Sequence, residues 1–172
     1  RLWIIDMGSW VPHQGRLLEV TLPVQPAATP RQRPQIKMLA DKLDRPLALV
    51  RGPDAQIYIG EAGRIWRTPV PVAGQPIQPQ TVLDALPNDG AHPLKEITFG
   101  PDGSLYINMG SVTDRCQGVQ GELPYPCPER EAMQFRGAVW RAVLVLPTPA
   151  TPKQPPVQQF APFALGLRNS VA

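Results

Sequence analysis

Apolar residues in this chain fall in short runs, and turn-forming residues separate one run from the next. Leu47-Ala48-Leu49-Val50, Ile57-Tyr58-Ile59, Ile97-Thr98-Phe99 and Leu105-Tyr106-Ile107 each read as a short β-strand. The segment Gly52-Pro53-Asp54-Ala55-Gln56 links the first two, and Gly100-Pro101-Asp102-Gly103-Ser104 links the second two. Gly-Pro-Asp is turn chemistry, because Pro presets φ and Asp can bond its own backbone. A third run follows each pair, as Gly63-Arg64-Ile65-Trp66-Arg67 and, after a long insertion, Arg136-Gly137-Ala138-Val139-Trp140-Arg141. No segment makes a convincing helix. Thr81 to Leu86 is the best candidate, and it is shorter than the roughly 8 to 20 residues usual for one.

The runs repeat. Gly52 to Ile59 returns as Gly100 to Ile107, 48 residues later. At the start of the chain Leu2-Trp3-Ile4-Ile5 leads to Gly15-Arg16-Leu17-Leu18-Glu19-Val20 in the same manner, which makes three units. A period near fifty residues, built of short antiparallel strands, marks a β-propeller blade. The expected fold class is all-β, with blade-like units at about 1–40, 41–90 and 91–172. Propellers close with roughly four to eight blades. Three blades are therefore expected to be a segment of a longer propeller, with the remaining segment as its partner.

Composition narrows the reading. The 172 residues include 23 Pro and 14 Gly, against ordinary usage of about 5% and 7%. The excess is proline, which precludes long uninterrupted helices. Pro23 to Pro34, Pro69 to Pro79 and Pro147 to Pro156 read as loops between blades or as polyproline segments. Apolar residues make up 42%, enough for a packed core and too many for a disordered chain. No apolar run approaches the ~20 residues that cross a bilayer. The net charge of +3 is scattered. Its densest group, Arg31 and Arg33, is too small for a nucleic-acid arm. Arg1 is not a usual native start, so a processed or longer N-terminus is expected.

Few residues can carry chemistry. His13 lies at an expected hairpin tip, where a solvated loop residue is the plain reading. His92 lies just before the first strand of the third unit. In a propeller the loops entering the innermost strands gather at one end of the channel, and loops on a rigid scaffold are where sites form. A neutral imidazole there can serve as general base, and a loop histidine bonded to backbone is the other reading. Cys116 and Cys127 share one long insertion. A disulfide would staple that loop for about 3 kcal/mol and implies an oxidising compartment. The paired spacing of a metal site is absent, and no metal ligand is assigned. Ser111 and Asp114 stand at the start of the same loop. Arg168, followed by Asn169, could clamp a carboxylate in bidentate fashion or form a surface salt bridge.

Three motifs together resemble the glucose/sorbosone dehydrogenase family of quinoprotein propellers. They are Arg45-Pro46-Leu47-Ala48-Leu49-Val50-Arg51-Gly52-Pro53-Asp54 with Ile57 to Ile59 and Gly63-Arg64-Ile65; His92 with Phe99 to Ile107 and Gly110-Ser111; and Gly166-Leu167-Arg168-Asn169. The resemblance covers residues 40 to 172 well and the first 40 loosely.

The resemblance implies a six-bladed propeller, in the periplasm or outside the cell. It would oxidise an aldose or related sugar or aldehyde with hydride transfer to pyrroloquinoline quinone, which an external electron acceptor then reoxidises. Calcium is often present in the family, and its ligands would lie in the remaining part of the propeller. His92 takes the position of the catalytic base, Arg168 that of the residue holding the quinone and stabilising charge on its oxygen, and Asn169 that of a neighbouring cofactor contact. Where the glucose-oxidising members have an Asp after the glycine that matches Gly110, this chain has Ser111, as in the sorbosone-type branch. Asp114 is expected to orient the base if the loop folds back. Ala91 before the base removes one potential sugar contact. The alternative is a propeller of the same lineage that binds carbohydrate or protein without turnover. A calcium-dependent lactone hydrolase on a similar propeller would need Asp, Glu and Asn ligands clustered in the channel, and few acidic residues fall there.

Overall fold

A computed structural model describes residues 1–23, 33–71, 75–118, 120–131, 136–145 and 156–170. Within them the chain forms strands β1 (Leu2–Asp6), β2 (Gly15–Thr21), β3 (Gln35–Leu43), β4 (Ala48–Arg51), β5 (Ile57–Gly60), β6 (Ile65–Thr68), β7 (Gln80–Leu83), β8 (Ile97–Phe99), β9 (Leu105–Met109), β10 (Ala138–Leu144) and β11 (Val157–Leu165). A single helical turn, α1 (Pro128–Glu131), interrupts them.

The strands form three antiparallel sheets in which each strand pairs with its neighbour in sequence: β1-β2-β3, β4-β5-β6-β7 and β8-β9-β10-β11. The repeat extends to register. Ile59 pairs with Trp66 as Ile107 pairs with Trp140. The Gly-Pro-Asp segments fold alike. Gly52 N donates to Gln56 O at 2.8 Å and Ala55 N to Gly52 O at 3.0 Å, while Gly100 N donates to Ser104 O and Gly103 N to Gly100 O, both at 3.0 Å. The fourth turn residue is left-handed in both, at φ 62° for Ala55 and 75° for Gly103. Each glycine opening the turn lies under a tyrosine ring. A Cβ on Gly52 would stand 2.4 Å from Tyr58 Cε2, and one on Gly100 would stand 2.7 Å from Tyr106 Cε2.

Alternation along the strands gives the middle sheet two apolar faces. Ile59 and Trp66 face the first sheet, packing with Leu17 and Leu43. Tyr58, Ile65 and Val82 face the third, packing with Ile97, Leu105, Ile107 and Ala142. The rings of Tyr58 and Phe99 meet edge to face across that layer, with centroids 4.9 Å apart. The three sheets form an open stack. No closed barrel and no closed ring of sheets is present among the described residues.

Sequence reading places three strands in each later unit, and the structure adds a fourth, β7 or β11. Thr81 to Leu83 is extended in β7. Residues 24–32, 72–74 and 146–155, most of the proline-rich stretches, and Arg31 with them, lie outside the described residues.

Candidate functional site

Three segments leave the third sheet at one end. Ala138, at the start of β10, pairs with Met109 at the end of β9 and with Leu165 at the end of β11. Ile97, at the start of β8, pairs with Ile107. The loop before β8 carries His92, the loop after β9 carries Ser111 and Asp114, and the segment after β11 carries Arg168 and Asn169. Hydrogen-bonded pairing of the four strands therefore brings these segments together.

They meet on one carboxylate. His92 Nε2 lies 2.9 Å from Asp114 Oδ1, and Arg168 Nη1 donates to the same oxygen at 3.1 Å. The His92 bond and the nearby Arg168 cation hold the Asp114 carboxyl below the usual aspartate range. The imidazole is mostly buried, at 16% exposure, whereas Asp114 and Arg168 are exposed. Gly110 makes the approach possible, since a Cβ there would lie 2.5 Å from both the Cβ and the carbonyl oxygen of His92.

Ser111 and Asn169 hold backbone and loop. Ser111 is buried, and its hydroxyl lies 2.7 Å from Thr113 O and 2.9 Å from Arg168 O. Its backbone N–H also donates to Arg168 O at 2.8 Å. Asn169 Oδ1 accepts from Asn108 Nδ2 at 2.6 Å, and Asn108 Oδ1 accepts Ser170 N at 3.0 Å. The bond to the imidazole is made by Asp114.

Two buried cations fix the loop before β8. Arg136 donates to Gly110 O at 2.8 Å, to Asp89 Oδ1 at 2.7 Å and to Asp89 O at 2.9 Å, which joins the His92 and Asp114 loops. The Arg136 bond holds the Asp89 carboxyl below its ordinary range. Lys95, 1% exposed, donates from Nζ to Pro87 O and Pro93 O on either side of His92. Burial pulls its ammonium down to about 7.

Cys116 and Cys127 form a disulfide. It borders a cleft of about 270 Å³ whose walls include Ser111, Asp114, Arg115, Glu129, Arg136 and Arg168. His13 is in the exposed turn between β1 and β2 at φ 64°, and lines a separate cleft with Asp44, Glu61 and Arg64. Among the described residues no three His, Cys, Asp or Glu side chains gather as a metal site, and no helix is long and apolar enough to cross a membrane. Sequence reading passed over Arg136, Lys95 and Glu129. The adjoining Arg136-Gly137 pair was legible only as the start of a strand. Compared with protein-family models, with curated proteins and with solved structures, the chain matches none.

Proposed function

We propose that this chain is part of a six-bladed β-propeller that oxidises an aldose or related sugar or aldehyde with pyrroloquinoline quinone, in the periplasm or outside the cell. The observation that carries the reading is the meeting of His92 and Arg168 on Asp114, where Asp114 and Arg168 line the cleft and the His92 ring stands behind the carboxylate. His92 and Arg168 came from separate motifs of the resemblance, 76 positions apart in the chain. The three meandering sheets, stacked through two apolar layers, are the unit from which a propeller is built. Further blades complete the ring.

The donor set fits an anionic quinone. Arg115 and Arg168 present exposed guanidinium groups on the cleft wall, and planar guanidinium groups suit carboxylates and quinone oxygens. When bound, the quinone supplies the hydride acceptor. The residues of this chain supply the rest. With Nε2–H donating to Asp114, the other ring nitrogen of His92, Nδ1, takes the proton of the sugar hydroxyl, a general-base step. Asp114 stabilises the imidazolium that results, the charge that Ser111 cannot supply. Arg168 holds the anionic partner and offsets charge that develops on its oxygen. Arg136 and Lys95 keep the histidine loop in place.

The test is reconstitution of the full-length protein with pyrroloquinoline quinone, followed by assay of aldoses and aldehydes with an artificial electron acceptor. Acceptor reduction that depends on both quinone and sugar is expected. Absence of quinone binding together with absence of reduction for every sugar would overturn the reading and leave carbohydrate or protein binding without turnover.

A further inference from the structure

Asp114 is not held by a sheet. It sits in the loop between β9 and α1, where no strand pairs with it. Its position comes from Glu129 in α1, whose carboxylate turns back onto this loop. Glu129 Oε2 accepts Val112 N at 2.7 Å, and Oε1 accepts Thr113 N at 3.1 Å and Thr113 Oγ1 at 2.6 Å. Thr113 Oγ1 in turn accepts Gln117 N at 2.9 Å. One carboxylate therefore fixes residues 112 and 113, its hydroxyl partner fixes 117, and Asp114 projects from between these anchors.

The helix that bears Glu129 has a single turn, far short of the ~12 residues at which an isolated helix begins to hold. It is tied to the loop by the bond from Cys116 to Cys127, two residues ahead of Glu129, and from its other side by Arg136 N, which donates to Glu129 O at 3.2 Å. The disulfide and the carboxylate thus close the same loop from both sides of Asp114.

We propose that Glu129, held by the Cys116–Cys127 bridge, is the residue that positions Asp114 against His92 and Arg168. Its effect on turnover rests on the proposed base role of His92, whereas its effect on Asp114 does not. Among the described residues the Glu129 carboxylate bonds to Val112 and Thr113, and no hydrogen bond or ion pair joins it to the His92 ring or the Arg168 guanidinium. It acts through Val112 and Thr113.

Carbon-detected NMR titration of the aspartate carboxyls in the full chain tests this without turnover. Glu129→Gln and Thr113→Val remove acceptor and donor while keeping volume, and Cys116→Ser/Cys127→Ser opens the bridge. In the wild type Asp114 titrates below the ordinary aspartate range. In Glu129→Gln and the double cysteine variant its midpoint rises to the ordinary aspartate range, since the imidazole and guanidinium contacts that depress it are lost. Thr113→Val gives a smaller rise. Asp102 is the control, because its carboxyl is also depressed, by Ser104 and Arg141 at the opposite end of the sheet, and it does not move. An Asp114 midpoint unchanged in both Glu129→Gln and the cysteine variant, with Asp102 still depressed, overturns the proposal. A wild type with no dehydrogenase activity but this pattern of shifts overturns the functional reading and leaves the positioning role standing.

Discussion

Gly110 and His92 touch so closely that any side chain at position 110 would lie 2.5 Å from the His92 Cβ. The contact is between a loop residue after β9 and the loop before β8, and both loops are pinned by Arg136. Gly110 cannot retreat without losing a buried hydrogen bond, nor the His92 loop without losing the bonds that Asp89 accepts from Arg136. Gly110→Ala is therefore expected to displace the imidazole from Asp114 rather than to be absorbed. Overpacking of this kind costs about 1–3 kcal/mol. The expected outcome is a modest loss of stability in urea unfolding and a fall of at least about tenfold in kcat for sugar oxidation, of the size that a misplaced catalytic group produces. Wild-type turnover in Gly110→Ala would show that His92 need not stand where it does.

The same aspartate–arginine tie occurs twice in different surroundings, which allows burial to be tested apart from geometry. Asp54 Oδ2 accepts from Arg67 Nη1 at 3.0 Å and from the Tyr58 hydroxyl at 3.1 Å, between the sheets, where Arg67 is fully buried. Asp102 Oδ2 accepts from Arg141 Nη2 at 2.6 Å where both side chains are well exposed. Asp54→Asn leaves a buried guanidinium without its counter-charge, which costs about 3–5 kcal/mol. Asp102→Asn should cost clearly less, because water replaces the lost partner. Denaturant midpoints of the two variants decide the matter, and equal losses would show that the turn, not the burial, sets the energy.

The twofold copy of Gly-Pro-Asp and its tyrosine was legible in the sequence because the turn and the ring that covers it depend on near neighbours, and the paired tryptophan recurs in an apolar Trp-Arg run. β3, β7 and β11 were not. β11 contains Pro162, opposite Trp140, which an outer strand tolerates, and β3 carries Lys37, Asp41 and Lys42 among its apolar positions. Only their pairing with a preceding strand makes them strands. The candidate site divides in the same manner. His92 and Arg168 were visible through their motifs, and Asp114 through its distance from Ser111. Arg136 works on Asp89 across 47 residues and Glu129 on Val112 across 17. Glu129 lies in no motif, and Arg136 was visible only as the residue opening a strand, so neither of these contacts left a trace in composition or spacing.

Lys95 makes stability depend on pH in an unusual direction. Folded, it titrates at about 7 against an ordinary 10.5. Between those values the unfolded chain holds a proton that the folded chain has released, so stability rises with pH there. Below pH 7 both states are protonated and folding carries the full cost of the buried ammonium. The carbonyls of Pro87 and Pro93 accept from that ammonium and limit the rise, as do Asp89 and Asp44, while Arg136 and Arg45 add to it. Tyr58 works in the opposite direction. Burial pushes it up to about 12, so its contribution is present up to the ordinary tyrosine range and is lost as pH climbs beyond. Urea unfolding should show stability increasing by about 4 kcal/mol from pH 6 to 10 and declining above. In Lys95→Met the increase should disappear whatever the absolute stability. A flat profile in the wild type would refute the buried ammonium.

His92 and Arg168 share Asp114, but their proposed tasks differ, and two substitutions separate them. His92→Ala removes the proton acceptor and leaves the guanidinium held by the carboxylate. Quinone binding should stay within about threefold of wild type while kcat falls by about 10² to 10⁴, the usual worth of a general base. Arg168→Ala removes a charged donor from the cleft wall. Quinone binding should weaken by about 10- to 100-fold, matching about 1.5–3 kcal/mol for a charge-assisted hydrogen bond, and saturating quinone should recover part of the rate. Asp114→Asn lies between them. It keeps the volume, withdraws the charge that stabilises the imidazolium, and should lower kcat with little change in quinone affinity. Fluorescence titration with quinone and steady-state assays on the three variants give the two axes. If His92→Ala and Arg168→Ala impair the same quantity by the same factor, the two residues do not have separate roles and the assignment of base and clamp fails.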